Sequence, residues 1–268
     1  MPSYTPTEKR KIAEFIEVTR TKESVATKFL KANAWRLENA LEDFLAAARM
    51  TERDMSSPIT RLFESYRDDP IESPDTIGIT RAMDFLRDIN VELDEVACLG
   101  IAELLKSPSM GEFTREGFVY GWVNVRCGTL PAMQEYAKKL RATIPKDPHV
   151  FRKVYCYAFM LSRMQGQRNL QFDIATEQWR LFFTAEHGGV AWNTETTPWL
   201  DWWIEFLEGR GSKPVNKDLW EQVEVFMRKS LADEEMGFWD PEGAWPGAID
   251  DFVEWVRAKR QEPAMEVE

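Results

Sequence analysis

The sequence predicts an all-α protein, on three observations. Apolar residues recur at spacings of three and four along most of the chain, no alternating run of strand length competes with them, and Gly, Pro and Asn gather in short breaks between the periodic segments. With 44% of its 268 residues hydrophobic, the chain has material for one large core or for a small domain followed by a larger one.

Residues 8–49 read as three short helices with apolar stripes Ile12, Phe15 and Ile16, then Val25, Ala26, Phe29 and Leu30, then Leu37, Leu41 and Leu45. The breaks fall at 19–22 and 33–35, which predicts a compact three-helix bundle near the lower size limit for independent folding. Over 50–57 the apolar period lapses and Thr, Asp, Ser and Ser precede a proline, the composition of a linker. A second domain is expected over 58–260. Its periodic segments predict helices at 59–66, 80–89, 94–105, 114–123, 130–142, 148–164, 173–183, 199–207, 217–231 and 246–259. Asp94 and Thr114 stand where a side-chain oxygen would cap the helix that follows. Trp199, Trp202 and Trp203 are expected to divide between core and surface. The polar stretch 261–268 is expected to be a disordered tail.

Several classes of function are disfavoured. No run of about eighteen apolar residues exists, and Met1-Pro2-Ser3-Tyr4 lacks the basic start and apolar stretch of a signal peptide, so a soluble cytoplasmic or nuclear protein without membrane contact is expected. A net charge of −11 disfavours nucleic acid and anionic lipid and suits an electropositive protein partner, although it equally serves solubility. Cys98, Cys127 and Cys156 have no zinc or disulfide spacing and read as structural thiols. The only two histidines, His149 and His187, leave little material for a nucleophilic triad. Gly209-Arg210-Gly211-Ser212-Lys213 lacks the spacing of a phosphate loop, and Asp240-Pro241-Glu242-Gly243 lacks that of a calcium loop. No cofactor or metal is expected.

The most specific stretch is Trp239-Asp240-Pro241-Glu242-Gly243-Ala244-Trp245-Pro246-Gly247-Ala248-Ile249-Asp250-Asp251-Phe252-Val253-Glu254-Trp255. With Lys217-Asp218-Leu219-Trp220, Gly111-Glu112-Phe113-Thr114-Arg115-Glu116-Gly117-Phe118, Tyr157-Ala158-Phe159 and Gly166-Gln167-Arg168-Asn169-Leu170, it resembles the PONY (potentiating neddylation) domain of the defective in cullin neddylation family. Val25-Ala26-Thr27-Lys28-Phe29-Leu30 and Trp35-Arg36-Leu37-Glu38-Asn39-Ala40-Leu41 resemble the second and third helices of the ubiquitin-associated-like domain that precedes it in that family. The resemblance covers nearly the whole chain and implies a larger helical domain built of degenerate EF-hand-like helix-loop-helix units.

The resemblance also implies a function. The positions matching the family's cullin-docking patch are Asp218, Ala244 and Asp250, with Asp251, Glu242 and Glu254 as an acidic extension; Asp218 would equally offset a helix dipole. The positions matching its pocket for the acetylated N-terminal Met of a Nedd-type conjugating enzyme are Ala82, Cys98, Ile101, Met110, Phe113, Leu161 and Leu181, several of which would equally serve as core. The implied role is a non-catalytic scaffold that holds the cullin C-terminal winged-helix region and the conjugating enzyme beside the RING subunit, with ubiquitin binding by residues 8–49. Two rivals stand against it: a ubiquitin-binding adaptor for another basic protein, and a thiol ligase, which would need a reactive cysteine.

Overall fold

The structure, a computed structural model, describes residues 4–261, the side chains of 46–54 excepted. Among the described residues there are twelve α-helices and two strands of two residues each. Helix α1 (Pro6–Thr19) opens on a capping box in which Thr5 accepts from the Glu8 amide while the Glu8 carboxylate accepts from the Thr5 amide. It stops at Arg20, which is left-handed at φ 52°. Helix α2 (Glu23–Ala32) leads through a turn at Ala34 and Trp35 into α3 (Leu37–Tyr66).

Ile12, Phe15, Ala26, Leu30 and Ala40 form the small core of the N-terminal unit. Phe44 packs edge-on against Phe15 and Phe29, with ring centroids 5.6 and 5.3 Å apart. The expected stripe on the third helix needs one correction. Leu45 is half exposed and Phe44 takes the inward place, because Ala40 and Phe44 are four residues apart on the face that meets α1 and α2.

Residues 50–57, expected as a linker, are helical and lie inside α3. Polar composition does not by itself mean irregular backbone, because a helix satisfies its own amides locally. The chain divides into two compact units at Pro58/Ile59, and Pro58, which has no amide to give to the helix, lies at that division.

The second unit repeats one arrangement twice. The end of α3, a loop and α4 (Ile79–Asp88) make one helix-loop-helix; α5 (Val96–Leu104), a loop and α6 (Arg115–Asn124) make the next. Their loops pair as antiparallel strands β1 (Thr76–Ile77) and β2 (Phe113–Thr114), in the register Thr76↔Thr114 and Ile77↔Phe113. After α7 (Leu130–Thr143), the units α8 (Pro148–Ser162) with α9 (Phe172–Phe182), and α10 (Trp199–Gly209) with α11 (Lys217–Ala232), are joined in the same way. Leu170 and Val215 exchange both backbone hydrogen bonds at 2.8 Å. This is the EF-hand-like pairing, and α12 (Gly247–Gln261) completes the domain. In the first loop Asp69 accepts from its own downstream amides, Ile71 and Glu72, and Asp68 accepts from Gly78. Those oxygens are turned to backbone rather than converged on a cation site.

The caps test the reading at two points. Thr114 caps α6 by accepting from Gly117. Asp94 does not cap α5, a third correction: the helix begins at Val96, whose amide donates to His187 O at 2.9 Å, so a tertiary neighbour supplies the acceptor. Gly117 and Gly121 bring α6 onto the end of α5. A Cβ at Gly117 would lie 2.0 Å from Leu105 O, and one at Gly121 2.7 Å from Leu104 O. The remaining core is strongly aromatic: Trp179, Trp192, Trp199, Trp203 and Trp220 are fully buried, while Trp202 is half-buried. The expected tail begins with Gln261, the last residue of α12, and 262–268 lie outside the described residues.

Candidate functional site

The three patch positions occupy the starts of two helices and the turn between them. Asn216 caps α11, its side chain accepting from Leu219 at 2.8 Å, which places Asp218 in the first turn beside unpaired helix amides. The Asp218 carboxylate is exposed and makes no hydrogen bond or ion pair among the described residues. Two residues on, Trp220 is fully buried and stacks on Tyr155 with centroids 4.3 Å apart. Its indole donates to Tyr155 O at 3.0 Å, and the Tyr155 hydroxyl donates to Trp220 O at 2.8 Å. This reciprocal lock between α8 and α11 fixes the turn that presents Asp218.

Ala244 is exposed in a tight turn closed by the Gly243 amide on Asp240 O at 2.9 Å. Aromatic anchors hold the turn on both sides. Trp245 packs on Phe226 and Phe238 under the Lys229 ammonium, and Trp239 lies beneath the Arg257 guanidinium. Trp239 also donates its indole N–H to Asp250 Oδ1 at 2.8 Å, so the half-buried Asp250 at the start of α12 has one oxygen engaged.

The acidic extension is less uniform than its sequence. Glu242 and Glu254 are exposed and their carboxylates have no partner among the described residues. Asp251 forms an ion pair with Arg210, the C-cap of α10, and so contributes little free charge. Among the described residues no hydrogen bond or ion pair joins Asp218 to Ala244 or Asp250; their helices are tied by packing such as Phe226 of α11 against Phe252 of α12, centroids 5.8 Å apart.

The pocket positions fall into three kinds. Ala82 of α4, Ile101 of α5, Phe113 of β2 and Leu161 of α8 are buried; Cys98 and Leu181 are half-buried; Met110 is exposed. Burial, and secondarily the Glu95 carboxylate, push the Cys98 thiol up to about 11. Two neighbours absent from the expected set supply the open apolar surface. Ile79 and Met83, four apart on α4, are exposed, and Ile79 covers Gly111 beside Met110. The signal was present in the sequence: both lie off the buried stripe of Ala82, Phe85, Leu86 and Ile89 yet are apolar.

All three cysteines are free thiols, Cys127 buried and Cys98 and Cys156 half-buried. Burial also raises the thiol pKa of Cys127 and of Cys156, the latter despite the nearby Arg152. Among the described residues no group of three or more His, Cys, Asp or Glu is placed to hold a metal ion, and no helix is long and apolar enough to cross a membrane.

Residues 132–255 match the family model described as cullin binding, a span that contains Asp218, Ala244 and Asp250. Residues 9–48 match the UBA-like domain. Proteins named "Defective in cullin neddylation protein 1" align along nearly the whole chain. That of Pyricularia oryzae is 35% identical over 266 residues, 95% of either chain. That of Eremothecium gossypii is 30% identical over 254 residues, 93% of this chain and 96% of its own. That of Saccharomyces cerevisiae is 27% identical over 262 residues, 93% of this chain and 94% of its own.

Proposed function

Because the chain belongs to the defective in cullin neddylation family, we propose that it is a cullin neddylation cofactor that works as a scaffold, without a nucleophile of its own. In this reading Asp218, Ala244 and Asp250 meet basic side chains on the C-terminal winged-helix region of a cullin. The exposed carboxylates accept charge-assisted hydrogen bonds and steer the encounter, and the small Ala244 permits close approach. The observation that carries the reading is the unpaired Asp218 carboxylate, held outward by the Tyr155–Trp220 lock inside the segment that matches a cullin-binding family.

The second contact is with the acetylated N-terminal Met of a Nedd-type conjugating enzyme, received by the surface around Ala82, Cys98, Ile101, Met110, Phe113, Leu161 and Leu181. Acetylation removes a charge that would be costly to bury there. Exposed Met110, Ile79 and Met83 support this surface as the entrance, while the buried members require side chains to part before an apolar residue enters. With the cullin on residues 58–260 and the enzyme beside its RING subunit, transfer to a cullin lysine gains from proximity and restricted orientation rather than from a new chemical group. Residues 8–49 add a ubiquitin-type contact, supported by exposed Val18 and Leu45 and by the UBA-like match.

The test is a reconstituted reaction of cullin, RING subunit, conjugating enzyme and modifier. Full-length protein is expected to accelerate cullin modification, and a Cys98→Ala/Cys127→Ala/Cys156→Ala variant to retain that effect. No acceleration by the wild-type protein contradicts the cofactor reading, and loss of activity in a folded triple variant restores the thiol-ligase alternative.

A further inference from the structure

The strongest surface feature outside the sites above is a groove along α8, of about 690 Å³, whose charge is opposite to that of the molecule. Six cations line it, Lys106, Arg152, Lys153, Arg163, Arg168 and Lys217, against the single carboxylate Glu103. The chain as a whole carries −11. Internal neutralisation accounts for part of this set. The buried Glu103 is held by Lys106 and by Lys153, the latter at 2.8 Å. The buried Glu224 is held by Arg152 at 2.7 Å and by Arg228. Two cations on Glu103 leave that cluster positive, and Arg152, Arg228 and Lys217 outnumber Glu224 and Glu221, the latter 3.9 Å from Arg152. Beyond these, Arg168 has no side-chain partner among the described residues, Arg163 donates only to Gln167 O at 3.1 Å, and Lys217 reaches Glu221 at a loose 3.6 Å.

The apolar lining is as distinctive. Phe159, beneath the Arg163 guanidinium, and the half-buried Tyr157 border the groove, and Met160 stands 41% exposed beside them on the outward side of α8. Met is an adaptable contact surface for a side chain of irregular shape. Cationic walls over a partly apolar lining fit a short acidic segment that carries one aliphatic side chain. A long polyanion fits badly, because beyond the groove it would run over an acidic protein.

We infer that the α8 groove docks an acidic peptide segment of a partner protein, with its carboxylates on Arg163, Arg168 and Lys217 and one aliphatic side chain on Met160. The groove shares no residue with those assigned to the cullin and to the enzyme N-terminus, although Lys217 directly precedes Asp218 and Met160 directly precedes Leu161.

The probe is a fluorescein-labelled peptide of about twelve residues, Glu-rich with a central Leu, titrated with the full chain and read by anisotropy. Saturable binding is expected, weakened several-fold between 50 and 200 mM salt, at least threefold by replacing the Leu with Ser, and tenfold or more in Arg168→Glu/Lys217→Glu. Glu at 217 suits the first turn of α11, so that variant should fold, as circular dichroism would check. Met160→Asp gives an independent loss of affinity. The inference is overturned by absence of saturable binding, by equal binding in the folded charge-reversed variant, by tighter binding of a single-stranded oligonucleotide of matched charge, or by light scattering that shows the groove engaged in self-association.

Discussion

Replacing Tyr155 with Phe removes one oxygen and tests the lock that presents Asp218. The hydroxyl is fully buried, donates to Trp220 O at 2.8 Å and accepts from Trp179 Nε1 at 2.9 Å. Trp220 O lies inside α11 and keeps its helical partner, so the variant strands one group, the buried Trp179 indole N–H. An orphaned buried donor costs about 1–3 kcal/mol and the lost net hydrogen bond about 1, giving about 2–4 kcal/mol in total. The assay is urea unfolding of the full chain followed by tryptophan fluorescence, with Tyr155→Phe, Trp179→Phe and the double variant. Because the double variant has no indole to strand, it should be less destabilised than the sum of the single changes by about 1–2 kcal/mol. A Tyr155→Phe loss below about 0.5 kcal/mol, or strict additivity, would show that the hydroxyl does not hold the Trp179 indole in this way.

Three further outcomes follow from particular contacts. Gly117→Ala should cost about 1–3 kcal/mol despite a helix-propensity gain of about 1, because its Cβ meets the Leu105 carbonyl at 2.0 Å; a melting temperature at or above wild type contradicts this. Hydrogen bonds from the Thr196 and then the Thr197 hydroxyls hold the Glu234 carboxyl below its ordinary 4.5. A depressed carboxylate pKa stabilises fully above the unfolded value and loses that contribution as pH falls through the folded value, so carboxyl NMR should find the Glu234 midpoint below 4.5 and rising in Thr196→Val; an unmoved midpoint argues against the bond. Cys98, at about 11 against an ordinary 9.0, should be alkylated by iodoacetamide at pH 7.5 about a hundredfold more slowly than a free thiol, and a comparable rate by mass spectrometry would contradict its burial.

Helices were legible wherever a buried stripe recurs, since each turn that packs must place an apolar residue three or four positions on. Trp203, Trp220 and Phe252 are such positions, on α10, α11 and α12. What escaped depended on partners distant in sequence. The acceptor at the start of α5 is His187 O, about ninety residues away, so Asp94 looked like a cap. Strands β1 and β2 are two residues each, too short for any alternation to register. Polar 50–57 read as a linker because composition does not report backbone hydrogen bonding.

The same contrast holds at the candidate site. Asp218 and Asp250 were nameable from the motif that surrounds them, yet their environments differ in ways the motif does not encode. Asp218 is unpaired, Asp250 accepts from Trp239, and Asp251 is taken by Arg210. The positions expected to form an apolar pocket do not make one open surface: Ala82, Ile101, Phe113 and Leu161 are buried, and the exposed apolar side chains are Ile79, Met83 and Met110.

Cullin docking through Asp218, Ala244 and Asp250 is tested by calorimetric titration of a cullin C-terminal fragment into the wild-type protein and into Asp218→Ala/Ala244→Arg/Asp250→Ala, with circular dichroism on both. Saturable binding by the wild type is expected, with a loss of at least tenfold in a variant that keeps its helical signal. Equal binding by the folded variant would place the interface elsewhere, and no binding by the wild type would contradict the cofactor reading.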